Sequence, residues 1–192
     1  MVKKREAIAE NYKWDLTTIF ATDEAFELEL ADASTALDDA RALAGTLTDS
    51  AENLLAVTET ELALMQRVEK LYVYASMKND QDTMVSLYQE YQAKVTALYA
   101  KFNEVFAFYE PEFMTLSQET FAQFVIDQPK LQTYDHFFEQ LFDRKAHVLS
   151  SAEEALLAGA SEIFGAGAET FEILDNAFIF FSTITDMHGQ EV

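Results

Sequence analysis

From Tyr88 to Tyr109 the chain carries a heptad seam. Tyr88, Tyr91, Val95, Leu98, Phe102, Val105 and Tyr109 follow one another at alternating intervals of three and four residues. That period puts all of these side chains on one face of an α-helix and cannot serve a strand, whose faces alternate at every second residue. The spacing predicts one long helix ending at the Glu110-Pro111 break, because the residue before a proline is pushed out of helical geometry. A helix so marked needs an apolar partner. The preceding series, Leu54, Leu55, Leu62, Met65, Val68 and Tyr72, running to about Met77, supplies one. The polar stretch at 78–82 reads as the connection, so the pair is expected to form a long antiparallel hairpin. The seam could instead line a groove for a partner helix, but so regular a repeat more naturally packs within its own chain.

Punctuation along the rest of the chain is sparse, with five glycines and two prolines, so helix ends are easy to place. Thr22 or Asp23 can cap a helix whose buried face is Phe26, Leu30, Ala33 and Leu37, with Gly45 beyond its end. Asp49-Ser50-Ala51-Glu52 has the form of a capping box opening the next. Ser117 is expected to cap another, with Leu116 facing Phe121 as a hydrophobic staple, and Pro129 to open the one after. Leu131, Tyr134, Phe138, Leu141 and Phe142 would be its buried face. Ser150-Ser151-Ala152-Glu153-Glu154 marks a further start and Gly165-Ala166-Gly167 its close, before a short helix from about Glu169 to Asn176. From Phe178 to Val192 the composition turns aromatic and β-branched, with a turn around Asp186 to Gly189, and predicts a strand and the start of a hairpin.

The expectation is therefore an all-α, multi-helix bundle of six or seven helices with a C-terminal β-strand or hairpin fragment. Before it, Tyr12, Trp14, Leu16, Ile19 and Phe20 have neither period. They suggest an extended strap laid over the helices, with the lone tryptophan buried as its anchor and Asp15, Thr17 and Thr18 satisfying its backbone. The expected division is 1–21 strap, 22–177 helical domain and 178–192 the truncated start of a further domain. An apolar strand left unpaired at a terminus invites aggregation, which argues for the front of a longer protein.

Charge and composition exclude several functions. Thirty-four acidic against 13 basic side chains give a formal charge of −21, which repels a phosphate backbone, so nucleic acid is not an expected partner. The excess acid serves solubility or, as a sharper alternative, an acidic face for cationic peptides. No run of apolar residues approaches the ~20 needed to cross a bilayer, so no membrane partner is expected. With no cysteine there is neither a disulfide nor a thiolate metal site. That suits a reducing compartment, and the N-terminal residues lack the apolar core of a signal peptide, so the expected location is cytoplasmic.

No catalytic or metal-binding constellation emerges. His136, His147 and His188 form no H-E-x-x-H pattern. His136 and Glu139 lie one turn apart, yet two ligands do not make a site. A di-metal carboxylate bundle would need Glu-x-x-His pairs, and Thr133 and Arg144 stand where those glutamates belong. Ser117, Ser150 and Ser151 read as caps. The glycines at 165 and 167 lack a phosphate-binding lysine. Glu153/Glu154 and Asp38/Asp39 are sequence neighbours that diverge on a helix. Catalytic, cofactor-binding and metal-binding residues are thus all expected to be absent.

Four stretches carry a family likeness: YKWDLTTIFATDEAFE at 12–27, SAENLLAVTETELALMQRVEKLYVYASMKNDQDT at 50–83, FVIDQPKLQTYDHFFEQLFDRKAHVLSSAEEALLA at 124–158, and NAFIFFSTITDMHGQEV at 176–192. In this order they resemble the amino-terminal region of the oligoendopeptidase F family, within the thimet-oligopeptidase-like zinc metallopeptidases. The resemblance implies a mostly helical enzyme that cleaves short peptides inside a deep channel. One wall of that channel is this helical part, which shapes and gates it. The other carries H-E-x-x-H and a further glutamate around zinc. The partners implied are that C-terminal catalytic domain and short peptide substrates. No position here matches the zinc ligands, so this chain alone is expected to be inactive and to bind no zinc. The competing expectation is a self-contained, non-catalytic helical interaction module.

Overall fold

The computed structural model describes residues 8–145, together with 166–167, 170–171, 185 and 187–189. The chain divides into two compact units, Met1–Lys145 and Ala146–Val192. The described part of the first is helical throughout, with no strand. Its α-helices are α1 (Asp23–Ala40), α2 (Ala51–Gln81), α3 (Ser86–Val105), α4 (Tyr109–Phe113), α5 (Gln118–Asp127) and α6 (Asp135–Lys145). Short 3₁₀ turns precede α1 at Glu10–Tyr12 and Leu16–Thr18, follow it at Arg41–Leu43, and lead into α6 at Pro129–Tyr134.

Caps fix the helix starts. Thr22 accepts from the Ala25 amide, Ser50 from Asn53 and Ser117 from Thr120, each satisfying an amide that the first turn leaves free. The box at 49–52 is shifted by one residue: Ser50 is the cap and Asn53, not Glu52, is its partner. After α1 and its 3₁₀ turn the chain reverses through Gly45 at φ +84°, a conformation that costs other residues a steric clash. The amides of Gly45 and Leu47 donate to the Glu112 carboxylate at 2.6 and 3.4 Å, which ties this turn to α4.

α1, α2 and α3 pack against one another around a first core. Phe26 is fully buried, with its ring 5.8, 5.1 and 4.8 Å from those of Phe20, Tyr74 and Tyr91. Ala33, Leu37, Val68, Leu71, Val95 and Phe102 extend this core along the three helices. A second core gathers Leu47, Leu54, Val57, Tyr109, Phe113, Leu131, Phe138 and Leu141. There the Phe113 and Phe138 rings stack at 5.3 Å and Phe121 and Phe142 close the cluster. Leu116 is buried in it and Phe121 packs against it, as the staple requires. The long helix α2 feeds both cores, its first half the second and its second half the first.

Four expectations are corrected. α2 does not stop near Met77 but runs to Gln81, leaving 82–85 as the connection to α3. The reason is Lys78, whose ammonium pairs with Asp23 at 2.8 Å and lies over the rings of Tyr74 and Tyr88, so this polar turn is anchored to the bundle as helix. α3 ends at Val105 rather than at Glu110-Pro111. A turn through Phe106 and Phe108 opens α4, where Pro111 sits in the first turn, whose amides need no partner inside the helix. Tyr109, the last residue of the seam, therefore belongs to the second core. Pro129 opens a 3₁₀ turn, with the α-helix beginning only at Asp135.

The fourth correction concerns the strap. Leu16 and Phe20 are buried and Ile19 packs beside them, but Trp14 is 64% exposed and Tyr12 80%. The anchor is Phe20, whose ring meets Tyr74 edge-on at 5.2 Å and carries the Lys70 ammonium at 4.5 Å. Asp15 does satisfy the backbone: it accepts from the Thr17 amide at 3.0 Å and hydroxyl at 2.6 Å, while the Thr18 hydroxyl donates to its carbonyl at 2.9 Å. Those bonds from Thr17 hold the Asp15 carboxyl below the usual carboxylate range. Further on, the helix expected to start at Ser150-Ser151 and the strand from Phe178 lie outside the described residues. The turn near the end is present at 187–189, with Gly189 at φ +78°.

Candidate functional site

The side chains most capable of chemistry are dispersed. His136 and Glu139 meet on α6 at 3.9 Å, both largely exposed, and the Nε2 atom of His136 is 3.0 Å from the Gln140 amide. No third ligand joins them: among the described residues no group of three or more His, Cys, Asp or Glu converges on a point. Asp38 and Asp39 diverge. Asp38 pairs with Lys101 at 2.8 Å, whereas Asp39 lines the groove between α1 and α2. Ser117 is fully explained as a cap. His147, Ser150, Ser151, Glu153 and Glu154 lie outside the described residues, and His188 sits in the turn at 187–189.

Two polar nodes are built into the helical unit instead. At the first, Asp23 accepts from the Tyr74 hydroxyl at 2.6 Å and pairs with Lys78. Burial opposes the charge of Asp23, yet the hydrogen bonds from Lys78 and Tyr74 hold its carboxyl below the usual range. Burial and the same acid push the Tyr74 phenol up, and burial with Asp23 and Glu27 pushes Tyr91 up to about 12. The node clasps the start of α1 to the end of α2, and it is a structural device.

At the second node the Thr58 hydroxyl donates to the Leu54 carbonyl at 2.7 Å and therefore accepts from the Tyr109 hydroxyl, 2.5 Å away. Burial, and to a lesser degree the charge of Glu61, keep the Tyr109 phenol protonated to higher pH. Glu61 itself is the anomaly. Its Oε2 is buried without any hydrogen-bond partner, and desolvation raises its carboxyl to about 7. Sequence reading passed it over, although the register shows it. Leu54, Thr58, Glu61, Met65, Val68, Tyr72 and Ala75 alternate in steps of four and three, so an acid occupies a seam position.

Three grooves run between the helices of the first core. The α1/α2 groove, lined by Ala36, Leu43, Ala63 and Leu64, reaches Arg67, which pairs with Glu29 of α1 at 2.6 Å. The α1/α3 groove is bridged by Lys101, which bonds Ser34 as well as Asp38. The α2/α3 groove differs. It is lined by Tyr72, Val73, Thr96, Tyr99 and Ala100 with Glu69 and Asn103, and among the described residues no ion pair joins α2 to α3. The seam residues Tyr91, Val95, Leu98, Phe102, Val105 and Tyr109 are buried, so the seam is core and not a docking stripe.

Residues 112–181 match the family model for oligopeptidase F. The whole chain is 58% identical to the group B oligopeptidase PepB of Streptococcus agalactiae, whose length it covers to 32%. The chain is similar along its whole length to the amino-terminal region of the oligoendopeptidase F family. An oligoendopeptidase F homolog of Lactococcus lactis is 56% identical over 180 residues, which cover 93% of this chain and 30% of that one. The crystal structure of oligoendopeptidase-F from Enterococcus faecium superposes with a TM-score of 0.66 at 39% identity, over 88% of this chain and 33% of that chain. The chain thus spans about a third of the length of the curated relatives it matches. Leu131, Phe138 and Leu141, all inside the matched region, are buried in the second core.

Proposed function

We propose that this chain is the amino-terminal helical part of a zinc metallo-oligoendopeptidase that hydrolyses short peptides, and that it forms and gates one wall of the peptide channel. The observation that carries the reading is identity at 58% along its whole length to an oligopeptidase three times as long. Among the described residues the donor set does not fit zinc, since His136 and Glu139 stand exposed on one helix with no third ligand beside them. The zinc ligands and the glutamate that activates water are assigned to polypeptide outside this chain. On this reading residues 1–21 are a strap, 22–177 the helical domain and 178–192 the first part of the catalytic domain. α2 and α3 are the arms of an antiparallel hairpin, in keeping with their short connection at 82–85. A channel between two lobes would admit extended short peptides and exclude folded proteins, which is selection by geometry.

The test joins residues 1–192 to the remaining two thirds of the S. agalactiae relative and assays both this chimera and the isolated chain with a quenched fluorescent oligopeptide. The chimera is expected to bind zinc stoichiometrically and to lose hydrolysis on chelation, while the isolated chain hydrolyses nothing. Hydrolysis by the isolated chain with its own bound ion refutes the reading. So does a folded chimera that binds no zinc and cleaves no peptide.

A further inference from the structure

The α2/α3 groove is built like half of an interface. Its volume is about 710 Å³, and Tyr72 and Val73 in it remain 41% and 47% exposed. The rings of Tyr72 and Tyr99 lie 6.1 Å apart across it, inclined at 58°. Thr96 and Ala100 keep its floor low, while Glu69 and Asn103 are its polar members. The neighbouring grooves are reached by cross-helix ion pairs that dress them for water, from Arg67 to Glu29 and from Lys101 to Asp38. On a chain of net charge −21, an aromatic groove crossed by no ion pair among the described residues differs from the α1/α2 and α1/α3 grooves beside it. An exposed Tyr72 beside a half-buried Tyr99, with Glu69 the one charged residue of the lining, matches the charge-poor, aromatic composition of an interface core.

We infer that the α2/α3 groove, centred on Tyr72, Val73 and Tyr99, is the docking surface for apolar side chains of the polypeptide that makes up the other two thirds of the family's length. This rests on the proposed function, and it names the surface by which the two parts meet. Relatives of three times this length carry that polypeptide covalently attached, so it is present at high effective concentration. A peptide substrate fits the groove less well. An extended peptide is held mainly through backbone-to-backbone hydrogen bonds, and the walls of this groove are the helices α2 and α3, whose own backbone groups are paired within each helix, so only side chains such as Glu69 and Asn103 could serve it.

Because the chain has no cysteine, a single reporter can be placed in the groove. Val73→Cys is introduced into the isolated chain and into the chimera, with Asp32→Cys on the exposed side of α1 as a control. Iodoacetamide labelling of each site is followed by peptide mass spectrometry. Labelling at position 73 is expected to be roughly tenfold slower in the chimera than in the isolated chain, with position 32 unchanged. Equal rates at position 73 in a chimera that cleaves peptides overturn the docking surface and leave the proposed function standing. Protection without cleavage does the reverse. The same cysteine at the aligned position of the intact S. agalactiae relative gives a reading free of any folding defect in the chimera, and fast labelling there also overturns the inference. Two results with the isolated chain reassign the groove and overturn it as well: protection by an added short oligopeptide, which makes it a substrate site, and labelling that speeds up on dilution, which makes it a contact between copies.

Discussion

Replacing Glu61 by glutamine should remove a pH dependence of folding that this one carboxyl imposes. Its Oε2 is buried with no hydrogen-bond donor, and desolvation raises its protonation point from 4.5 to about 7. The folded chain therefore binds this proton more tightly than the unfolded chain. Glu61 costs little below about pH 4.5, where both states hold the proton, and its penalty grows as pH rises toward about 7. At 1.36 kcal/mol per pH unit the full difference is roughly 3 kcal/mol, and allowance for partial exposure brings it to about 2 kcal/mol. Urea denaturation followed by circular dichroism, from about pH 5 to about pH 8, measures it. Glu61→Gln should be about 2 kcal/mol more stable than the native chain at the alkaline end and within about 0.5 kcal/mol of it at the acid end. The difference between the two profiles matters, because every other ionisable group is common to both proteins. Glu61→Leu should gain at least as much at the alkaline end, since it also removes the orphaned oxygen. Parallel profiles for the native chain and Glu61→Gln would refute the argument.

Trp14→Ala should lower stability by no more than about 0.5 kcal/mol by thermal melt, because the indole is mostly exposed, whereas Phe26→Ala in the first core should cost about 3–5 kcal/mol. Tyr109→Phe leaves the Thr58 hydroxyl without its buried donor and should cost about 1 kcal/mol in urea titration. Ser50→Ala removes the cap of α2 and should cost about 1 kcal/mol in the same assay, with little loss for Ser50→Asp.

What the sequence made legible was whatever packing alone determines. The interval pattern from Tyr88 to Val105 placed α3 and its buried face, and Thr22, Ser50 and Ser117 marked helix starts through chemistry that needs only the neighbouring amides. What it left illegible depended on distant partners. The polar turn at Lys78 looks like a loop until Asp23 is seen beside it, some fifty residues away in the chain. Trp14 looks like an anchor because indoles usually are, yet Phe20 reaches the ring cluster first and leaves it outside. The site was illegible for a different reason: on the proposed reading its chemistry belongs to other polypeptide, and no pattern in this chain can show it. Glu61 is the residue that closer attention to register could have found.

The two cores of the helical unit are mechanically one. α2 passes through both without a break, carrying Leu54, Leu55 and Val57 into one and Leu64, Val68 and Leu71 into the other. Leu43 and Phe108 pack against both clusters, so the α1 and α3 ends are shared as well. Arg41 pairs with Glu104 at 3.0 Å and Glu112 holds the turn at Gly45, which closes the remaining seam. To hinge between the cores, the unit would have to bend α2 in mid-helix and unpack side chains that close packing leaves nowhere to go. If this part of the family gates a channel, residues 23–145 should therefore swing as one body, with the flexing confined to the chain on either side. Disulfides engineered between α4 and the 3₁₀ turn that follows α1, across the seam that Glu112 closes at Gly45, should then leave peptide turnover by the chimera unchanged. A large loss of turnover, restored on reduction, would place the hinge inside this unit and contradict the packing argument.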